Sequence, residues 1–326
     1  MQVADFHCDT ISALYLNQNE TENLKCNALQ LDINKMRSAH YILQHFAIFV
    51  DAHIHDNPYE TAIAMLDLYH KEIFDHHMDL YPITRFSDID TAIATQKIAA
   101  IVTIEDGGIL EGDINRLQTL YDKGVRLLTL TWNYENCIGA PSNMHYGTDR
   151  FPTEPNTSLG LTDFGTDVVE QCEQLGIIVD VSHLSDKGFY DVATLAKRPF
   201  VASHSSARTL CPHVRNATDD MIRTLANHGG LIGVNFHPDF ISVPDKTEPN
   251  IATLTDIVRH IRHIYQIGGI SCLALGSDFD GIDISPELRD ASYMPMLFEA
   301  LKKDGFHESE IDAIFFQNML RFYKEY

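Results

Sequence analysis

The sequence has 326 residues, enough for a globular protein to bury about three quarters of the surface that its unfolded chain exposes. Hydrophobic residues make up 44% and charged residues 21%, a composition that excludes extensive disorder. A net charge of −22 repels phosphate backbones and anionic lipids, so we expect no nucleic-acid partner and no membrane partner. The start, MQVADFHCDT, lacks the basic and apolar stretches of a signal peptide, which predicts a cytoplasmic protein.

Eight short apolar segments, typical of buried strands, alternate with segments of helical periodicity. They are residues 3–6, 42–50, 99–104, 126–131, 177–181, 200–203, 231–236 and 272–276. Eight β/α alternations predict a parallel sheet, and eight parallel strands close naturally as a (β/α)8 TIM barrel of the α/β class. The alternative is an open doubly wound sheet, but no glycine-rich dinucleotide motif follows any of the segments. We therefore predict one barrel domain over residues 1–326.

The predicted helices carry start and stop signals. Hydroxyl residues that can cap helix amino termini precede four of them: Thr162, Ser185, Thr218 and Thr253. The helix predicted over residues 163–175 ends before Gly176, which can adopt the left-handed conformation common after a helix. The tail, residues 308–326, is predicted to form one final helix.

Residues that can bind a metal ion or move a proton stand at the ends of five predicted strands. They are His7, Asp9, Glu105, His183, His204, Asp278 and Asp280. The carboxyl ends of the strands of a parallel barrel meet at one face, where the active sites of this fold lie. We therefore expect these side chains to meet in one small volume. Burying so many polar and charged groups without a cation would be costly, so the sequence predicts a metal site.

The spacing of these residues suits two divalent cations. His7 and Asp9 are two apart on a strand and point the same way, so they can bind one ion. His183 and His204 follow neighbouring strands and can bind a second, and Glu105 has two oxygens that can bridge both. Imidazole and carboxylate ligands favour zinc over calcium or magnesium. Two ions ~3.5–4 Å apart would share a water, lower its pKa towards ~7 and polarise a carbonyl, which is the chemistry of amide or ester hydrolysis.

The remaining carboxylates and hydroxyls suggest further roles. Asp278 or Asp280 can take the proton from the attacking water and pass it to a leaving nitrogen, and the spacing leaves the choice open. Ser205 and Ser206 lack the turn motif and the base of a nucleophilic serine.

The chain resembles the membrane (renal-type) dipeptidase family, peptidase family M19, in segments that follow the order of that family: HCDT, TIEDGG, GVRLLTLTWN, IIVDVSHLSD, PFVASHSSAR, CPHVRNATDD and ALGSDFDG. The resemblance covers almost the whole chain, and the chain is similar to the bacterial cytosolic branch of the family. It implies a TIM barrel with two Zn²⁺ ions that cleaves dipeptides, including those with a C-terminal D-residue. It also implies a homodimer.

By the same resemblance, His7 and Asp9 would bind one zinc ion, His183 and His204 the other, and Glu105 would bridge them. These are the groupings that the strand-end spacing suggests.

The resemblance also implies substrate contacts. Arg215 matches the arginine that binds the substrate carboxylate, and Asp278 matches the acid/base carboxylate, with Asp280 as its rival. Trp132 stands where renal-type members have a histidine that orients the scissile carbonyl. An indole donates one hydrogen bond but cannot carry a proton or a charge. His145 is a candidate to supply the missing imidazole.

Two other functions stay open from the sequence. A deacylase, lactonase or phosphoesterase would use the same kind of metal centre on another bond. A non-catalytic binding protein would keep the barrel while Trp132 blocks the pocket. In either case the segments 133–158 and 237–251 are predicted to shape the pocket, because specificity in barrels resides in the loops after the strands.

Overall fold

The computed structural model describes residues 1–17, 22–244 and 250–326. Its strands are all parallel and form one sheet. They are β1 (Val3–Asp5), β2 (Tyr41–Phe49), β3 (Leu80–Pro82), β4 (Ile98–Glu105), β5 (Val125–Thr129), β6 (Ile178–Asp180), β7 (Val201–Ser205), β8 (Leu231–Val234) and β9 (Leu273–Leu275). The order β2-β1-β9-β8-β7-β6-β5-β4 closes because β4 also pairs with β2, which confirms the predicted eight-stranded barrel. The short β3, which the sequence did not predict, pairs with the start of β4.

Helices follow the strands around the barrel. They are α1 (Thr10–Asn17), α2 (Ile33–Ser38), α3 (Pro58–Asp75), α4 (Asp88–Ala94), α5 (Asn115–Asp122), α6 (Asp163–Leu175), α7 (Asp186–Leu195), α8 (Asp219–Asn227), α9 (Pro238–Ile241), α10 (Leu254–Gly268), α11 (Met294–Lys303), α12 (Glu308–Asp312) and α13 (Asn318–Glu325). Single 3₁₀ turns occupy Gly107–Leu110, Ile270–Cys272 and Ala291–Tyr293. Within the described residues, no helix combines the length and the apolar character needed to cross a bilayer.

The four predicted N-caps are confirmed. Each hydroxyl accepts a hydrogen bond from a backbone N–H in the first turn of its helix, at 2.9–3.2 Å: Thr162 before α6, Ser185 before α7, Thr218 before α8 and Thr253 before α10. Each such bond satisfies one of the N–H groups that a helix start leaves without a partner.

The tail is helical over residues 308–325, as predicted, but it is not one regular α-helix. A π-helical turn, Ala313–Gln317, separates α12 from α13. The wider turn changes the phase of the apolar stripe. Phe315 therefore packs in the outer hydrophobic cluster, whereas Met319 and Phe322 pack with the inner one.

The inner hydrophobic cluster explains why the site lies at the carboxyl end of the barrel. Ala99 and Ile101 of β4 belong to this cluster, whereas Ala100 and Val102 pack in the outer cluster between the sheet and the helices. The inner cluster is drawn from the amino-terminal parts of the strands and is covered by α13. Because side chains alternate along a strand, the inward face of β4 continues to Glu105 beyond the apolar layer.

Candidate metal centre and active site

Five of the predicted metal ligands lie together at the carboxyl ends of the strands. The His7 Nε2 atom is 3.3 Å from Asp9 Oδ2 and 3.3 Å from Glu105 Oε2. The other carboxylate oxygen, Glu105 Oε1, is 3.1 Å from His183 Nε2 and 3.7 Å from His204 Nε2. The two oxygens of Glu105 thus face the two pairs of ligands that the sequence suggested.

The donor atoms of this cluster fit divalent cations. Both ring nitrogens of His7 and the Oδ1 atom of Asp9 are buried without a hydrogen-bonding partner among the described residues, although buried polar atoms normally have one. The Nε2 atoms of His183 and His204 lie 3.0 Å apart and point to the same place. Donor atoms of His7, Glu105 and His204, and separately of His7, Asp9 and Asp278, all lie within 4.8 Å of one another. Imidazole nitrogens and carboxylate oxygens are the ligands that zinc takes in hydrolases.

Burial sets the charges in the cluster. It lowers the pKa of His183 and of His204 well below the ordinary value, so both imidazoles are neutral and keep a lone pair for an ion. Although burial acts in the same direction on His7, the Glu105 and Asp9 carboxylates hold the pKa of His7 well above its usual range. Burial raises the pKa of Asp9. A cation would relieve this crowding of carboxylates.

Unusual backbone geometry directs three of these side chains. His183 and Asp278 have φ angles of 69° and 65°, in the left-handed region that residues other than glycine rarely occupy. The pairing register between β7 and β8 shifts between Ala202 and Ser205, so the simple alternation of side chains is broken at His204. Such local strain typically marks functional sites, because only the surrounding contacts hold it in place.

The two candidate proton carriers occupy different environments. Asp278 lies beside the cluster, with its Oδ1 atom 3.7 Å from His7 Nε2, and its Oδ2 atom accepts a hydrogen bond of 2.8 Å from the Asn235 amide. Burial raises the pKa of Asp278 to about 6. Both oxygens of Asp280 instead accept hydrogen bonds, from the Thr10 hydroxyl at 2.6 Å and the Gln30 backbone N–H at 2.5 Å. Asp278 therefore lies at the ligand cluster, whereas Asp280, which also lines the cavity and whose pKa burial likewise raises to about 6, is hydrogen-bonded to two neighbouring segments.

Arg215 brings a positive charge into the same site. Its side chain is only 5% exposed and lines the cavity in front of the ligand cluster. The guanidinium donates hydrogen bonds to the His204 carbonyl at 3.2 Å and to the Ser205 hydroxyl at 3.4 Å, while its Nε–H has no partner in the part of the chain that the structure describes. Burial lowers the pKa of Arg215 to about 10, so the group stays charged at neutral pH. A buried guanidinium with free donors is suited to binding a carboxylate.

Trp132 forms part of an aromatic wall. Its ring centroid lies 4.6 Å from that of Phe49, 4.9 Å from that of Tyr146 and 6.3 Å from that of His183. These rings border a cavity of about 1200 Å³ that is also lined by Arg215 and by Asp9, Glu105 and His183 of the ligand cluster. Trp132 thus lines the cavity without filling it.

The structure places His145, the candidate to supply an imidazole, away from the cavity. Its side chain is exposed and does not line the cavity. The backbone explains this placement: the His145 N–H donates to the Asn143 side chain at 2.9 Å, and the His145 carbonyl accepts from the Thr148 N–H at 3.0 Å. This turn brings the neighbouring Tyr146, not His145, to the cavity.

Both predicted loop segments contribute to the cavity wall. Residues of 133–158 that line it include Asn133, Asn143 and Tyr146, and residues of 237–251 that line it include His237, Phe240 and Asn250. Positions 245–249 of the second segment lie outside the described residues.

Sequence reasoning missed several residues that hold the site together. The Asn133 amide oxygen accepts a hydrogen bond of 2.9 Å from His183 Nδ1, and Asn235 holds Asp278. His213 accepts a hydrogen bond of 3.1 Å from the Arg215 backbone N–H. Asn235 could have been found, since it is a polar residue at the end of a predicted strand. Asn133 and His213 gave no such signal, because they lie in loops.

Gly281 is required by the close approach of the chain to the ligands. A Cβ atom at this position would lie 2.2 Å from Asp9 Oδ2 and 2.7 Å from Asp278 Oδ1. We expect Gly281→Ala to displace both carboxylates and lower metal affinity and kcat/KM about 10–100-fold, as loss of a ligand-orienting contact does. Elemental analysis and kinetics on the folded variant measure this. Ile282→Ala, at the next position, is the control and should keep its metal; wild-type behaviour of Gly281→Ala would contradict the prediction.

The barrel, together with the ligand cluster at the carboxyl ends of its strands, defines the class: a TIM-barrel protein of the metal-dependent hydrolase type. The sequence matches the family described as membrane dipeptidase, peptidase family M19, over residues 1–326, and the chain belongs to this family.

Individual relatives agree with the family. An uncharacterised dipeptidase of Schizosaccharomyces pombe is 30% identical over 90% of this chain and 71% of its own length. An uncharacterised protein from the pqqA 5′ region of Klebsiella pneumoniae is 37% identical over 73% of this chain and 86% of its own length. A metallopeptidase of Rhodobacter sphaeroides, solved with a phosphinate mimic of the dipeptide L-Ala-D-Ala, superimposes with a TM-score of 0.91 at 26% identity, covering 100% of this chain and 99% of that one.

Proposed function

We propose that this chain is a zinc-dependent dipeptidase with two zinc ions. His7 and Asp9 would hold one ion, His183 and His204 the other, and Glu105 would contact both. The observation that carries the proposal is the convergence of these five side chains at the carboxyl ends of the strands, beside a cavity that Arg215 also lines.

The residues around the ions have distinct parts in the proposed reaction. When bound, the ions would supply an activated water and positive charge beside the scissile carbonyl. Asp278 takes the proton of the attacking water and gives it to the leaving nitrogen, as a general base and then a general acid. Asn235 holds Asp278 Oδ2 and so leaves Oδ1 facing the cluster. Arg215 binds the free carboxylate of the dipeptide, which fixes the peptide bond relative to Asp278.

Dipeptides with a C-terminal D-residue are included in the proposed substrates. The support is the Rhodobacter sphaeroides relative, whose bound ligand mimics L-Ala-D-Ala. The open cavity of about 1200 Å³ favours an enzyme over a binding protein blocked by Trp132.

Metal analysis and a substrate panel test the proposal together. We expect two zinc ions per chain and hydrolysis of L,L or L,D dipeptides, with little turnover of N-acyl amino acids, lactones or phosphoesters. A chelator should abolish turnover, and zinc should restore it. Two bound ions with turnover of lactones or phosphoesters alone would overturn the dipeptidase assignment, and zinc without any turnover would favour a binding protein.

Arg215→Ala is expected to lower kcat/KM for dipeptides about 100-fold, mainly through KM, while metal content stays unchanged. The reason is the loss of charged hydrogen bonds to the substrate carboxylate, worth about 1.5–3 kcal/mol. Steady-state kinetics measure the effect.

Arg150→Ala is the matched control for Arg215→Ala. Arg150 also lines the cavity, but its side chain is 73% exposed and pairs with Asp239 at 3.0 Å. We expect its kinetics to stay within about threefold of wild type, because the Arg150 end of this ion pair is screened by solvent. An unchanged KM in Arg215→Ala would remove the carboxylate-binding role.

The assembly and the location of the protein remain predictions. We expect a homodimer, which light scattering coupled to size-exclusion chromatography measures, and a cytoplasmic location, which cell fractionation measures.

A further inference from the structure

A further buried carboxylate, that of Asp180, lies behind the ligand cluster and contacts it through a serine. Asp180, at the end of β6, has no exposed surface. Its Oδ1 atom accepts hydrogen bonds from the backbone N–H groups of Ser182 and Ser203, each at 2.9 Å. Its Oδ2 atom accepts from the hydroxyls of Thr129 at 2.6 Å and Ser203 at 2.5 Å. The Ser203 Oγ atom in turn lies 2.8 Å from His204 Nδ1.

The number of available hydrogens fixes the direction of the hydrogen bonds that join Asp180, Ser203 and His204. The Ser203 hydroxyl has a single hydrogen and donates it to Asp180 Oδ2. The Ser203 oxygen must then accept from His204 Nδ1, which therefore carries the imidazole proton. The other ring nitrogen, Nε2, is left with a free lone pair, and it is this atom that faces Glu105 and His183.

We propose that Asp180 is a positioning residue of the metal centre: acting through Ser203, it fixes His204 in the tautomer that can bind an ion. The inference rests on the proposed metal-dependent function and adds a residue to it. Partners of this kind orient ligand imidazoles and raise their basicity. Here a hydroxyl stands between the carboxylate and the ring, so the orientation depends on the direction of the hydroxyl bond.

This chain of hydrogen bonds, Asp180–Ser203–His204, is called the relay. It predicts that Ser203→Ala has opposite effects on metal binding in the wild type and in Asp180→Asn. In Asp180→Asn the carbonyl oxygen can keep the two backbone N–H groups, which places the amide NH₂ where Oδ2 was. Ser203 then accepts from the amide and donates to His204 Nδ1, and the imidazole proton moves to Nε2. Removing the hydroxyl as well, in Asp180→Asn/Ser203→Ala, lifts that constraint, so the second substitution should repair part of the first.

Zinc affinity of the metal-free protein tests the relay without any substrate. Zn²⁺ is titrated in competition with a chromophoric chelator. We expect Asp180→Asn to weaken one of the two sites about 10–100-fold, Ser203→Ala to weaken it less, and the double variant to bind tighter than Asp180→Asn. A double variant that binds no tighter than Asp180→Asn would show a merely structural role and overturn the proposal, as would wild-type affinity in Asp180→Asn.

Asp5→Asn is the matched control. Asp5 is also fully buried, at the end of β1, and accepts hydrogen bonds from the Ser277 backbone N–H at 2.8 Å, the Ser277 hydroxyl at 2.6 Å and the Gln44 amide at 3.1 Å. None of these partners bonds to a ligand ring, so this variant should lose stability with a much smaller change in zinc affinity.

The outcomes separate the relay from the proposed function. If Asp180→Asn does not fold, Ser203→Ala decides, and unchanged affinity in that variant overturns the relay. A wild-type protein that binds no zinc would overturn the proposed function. A wild type that binds zinc, with variants that fail the expected order, would overturn the relay alone.

Discussion

Asp278→Asn is expected to keep the full metal content and to lower kcat by about 10²–10⁴-fold, the usual contribution of a positioned general acid or base. An amide of the same shape can keep its contact with Asn235 but cannot accept the proton of a water or donate it to a leaving nitrogen. Elemental analysis and steady-state kinetics on the same preparation measure both quantities. The KM for dipeptides should change little, because Asp278 is not the proposed carboxylate partner.

Asp280→Asn and Asp283→Asn are the controls. Asp280 accepts hydrogen bonds from Thr10 and Gln30, so its substitution should lower the melting temperature and leave kcat largely unchanged. Asp283 is an exposed carboxylate at the cavity, and its substitution should change neither property. If Asp280→Asn loses turnover while Asp278→Asn retains it, the proton role belongs to Asp280.

His204→Ala is expected to lose one zinc ion and to lower kcat/KM by about 10²–10⁴-fold while the protein stays folded. A catalytic ion contributes several kcal/mol to transition-state stabilisation, and each 1.36 kcal/mol is tenfold in rate. The Glu105 oxygen and the His183 nitrogen that face His204 cannot by themselves replace the third donor. Metal analysis, circular dichroism and kinetics measure the three parts of the prediction.

His237→Ala is the matched control for the ligand assignment. His237 also lines the cavity, but its Nδ1 atom accepts a hydrogen bond from the Asp239 N–H at the start of α9. We expect this variant to keep both ions. Retention of two ions in His204→Ala would remove His204 from the ligand set.

The barrel could be predicted because its signals are local. Each strand is a short apolar segment, and each of four helices begins at a hydroxyl that caps it. The residues the prediction missed or misplaced depend on contacts between distant parts of the chain. Strand β3 (Leu80–Pro82) is only partly buried and ends at a proline, so no apolar segment marks it. The π turn before α13 follows from how Phe315 and Met319 pack into different clusters.

In the site, too, the features with local signals could be predicted, and those that depend on distant contacts could not. The strand-end positions of His7, Glu105 and His183 indicated a metal centre, because histidine and carboxylate side chains gathered at one face have few other uses. The sequence could not separate Asp278 from Asp280, since both follow the same strand. The backbone does not separate them either, because both have positive φ angles. The tertiary contacts distinguish them: Asp280 accepts hydrogen bonds from Thr10 and Gln30, more than two hundred residues away in the chain, whereas Asp278 lies beside His7 and is held by Asn235.

The sequence by itself determined the alternation of strands and helices and the kind of atoms that end the strands, because periodicity and side-chain chemistry are properties of short segments. The tertiary structure decided where those atoms point. The shifted register before His204 and the left-handed backbone at His183 are held by neighbouring strands and loops. The hydrogen bonds of Asp180 likewise depend on strands that meet only when the barrel closes.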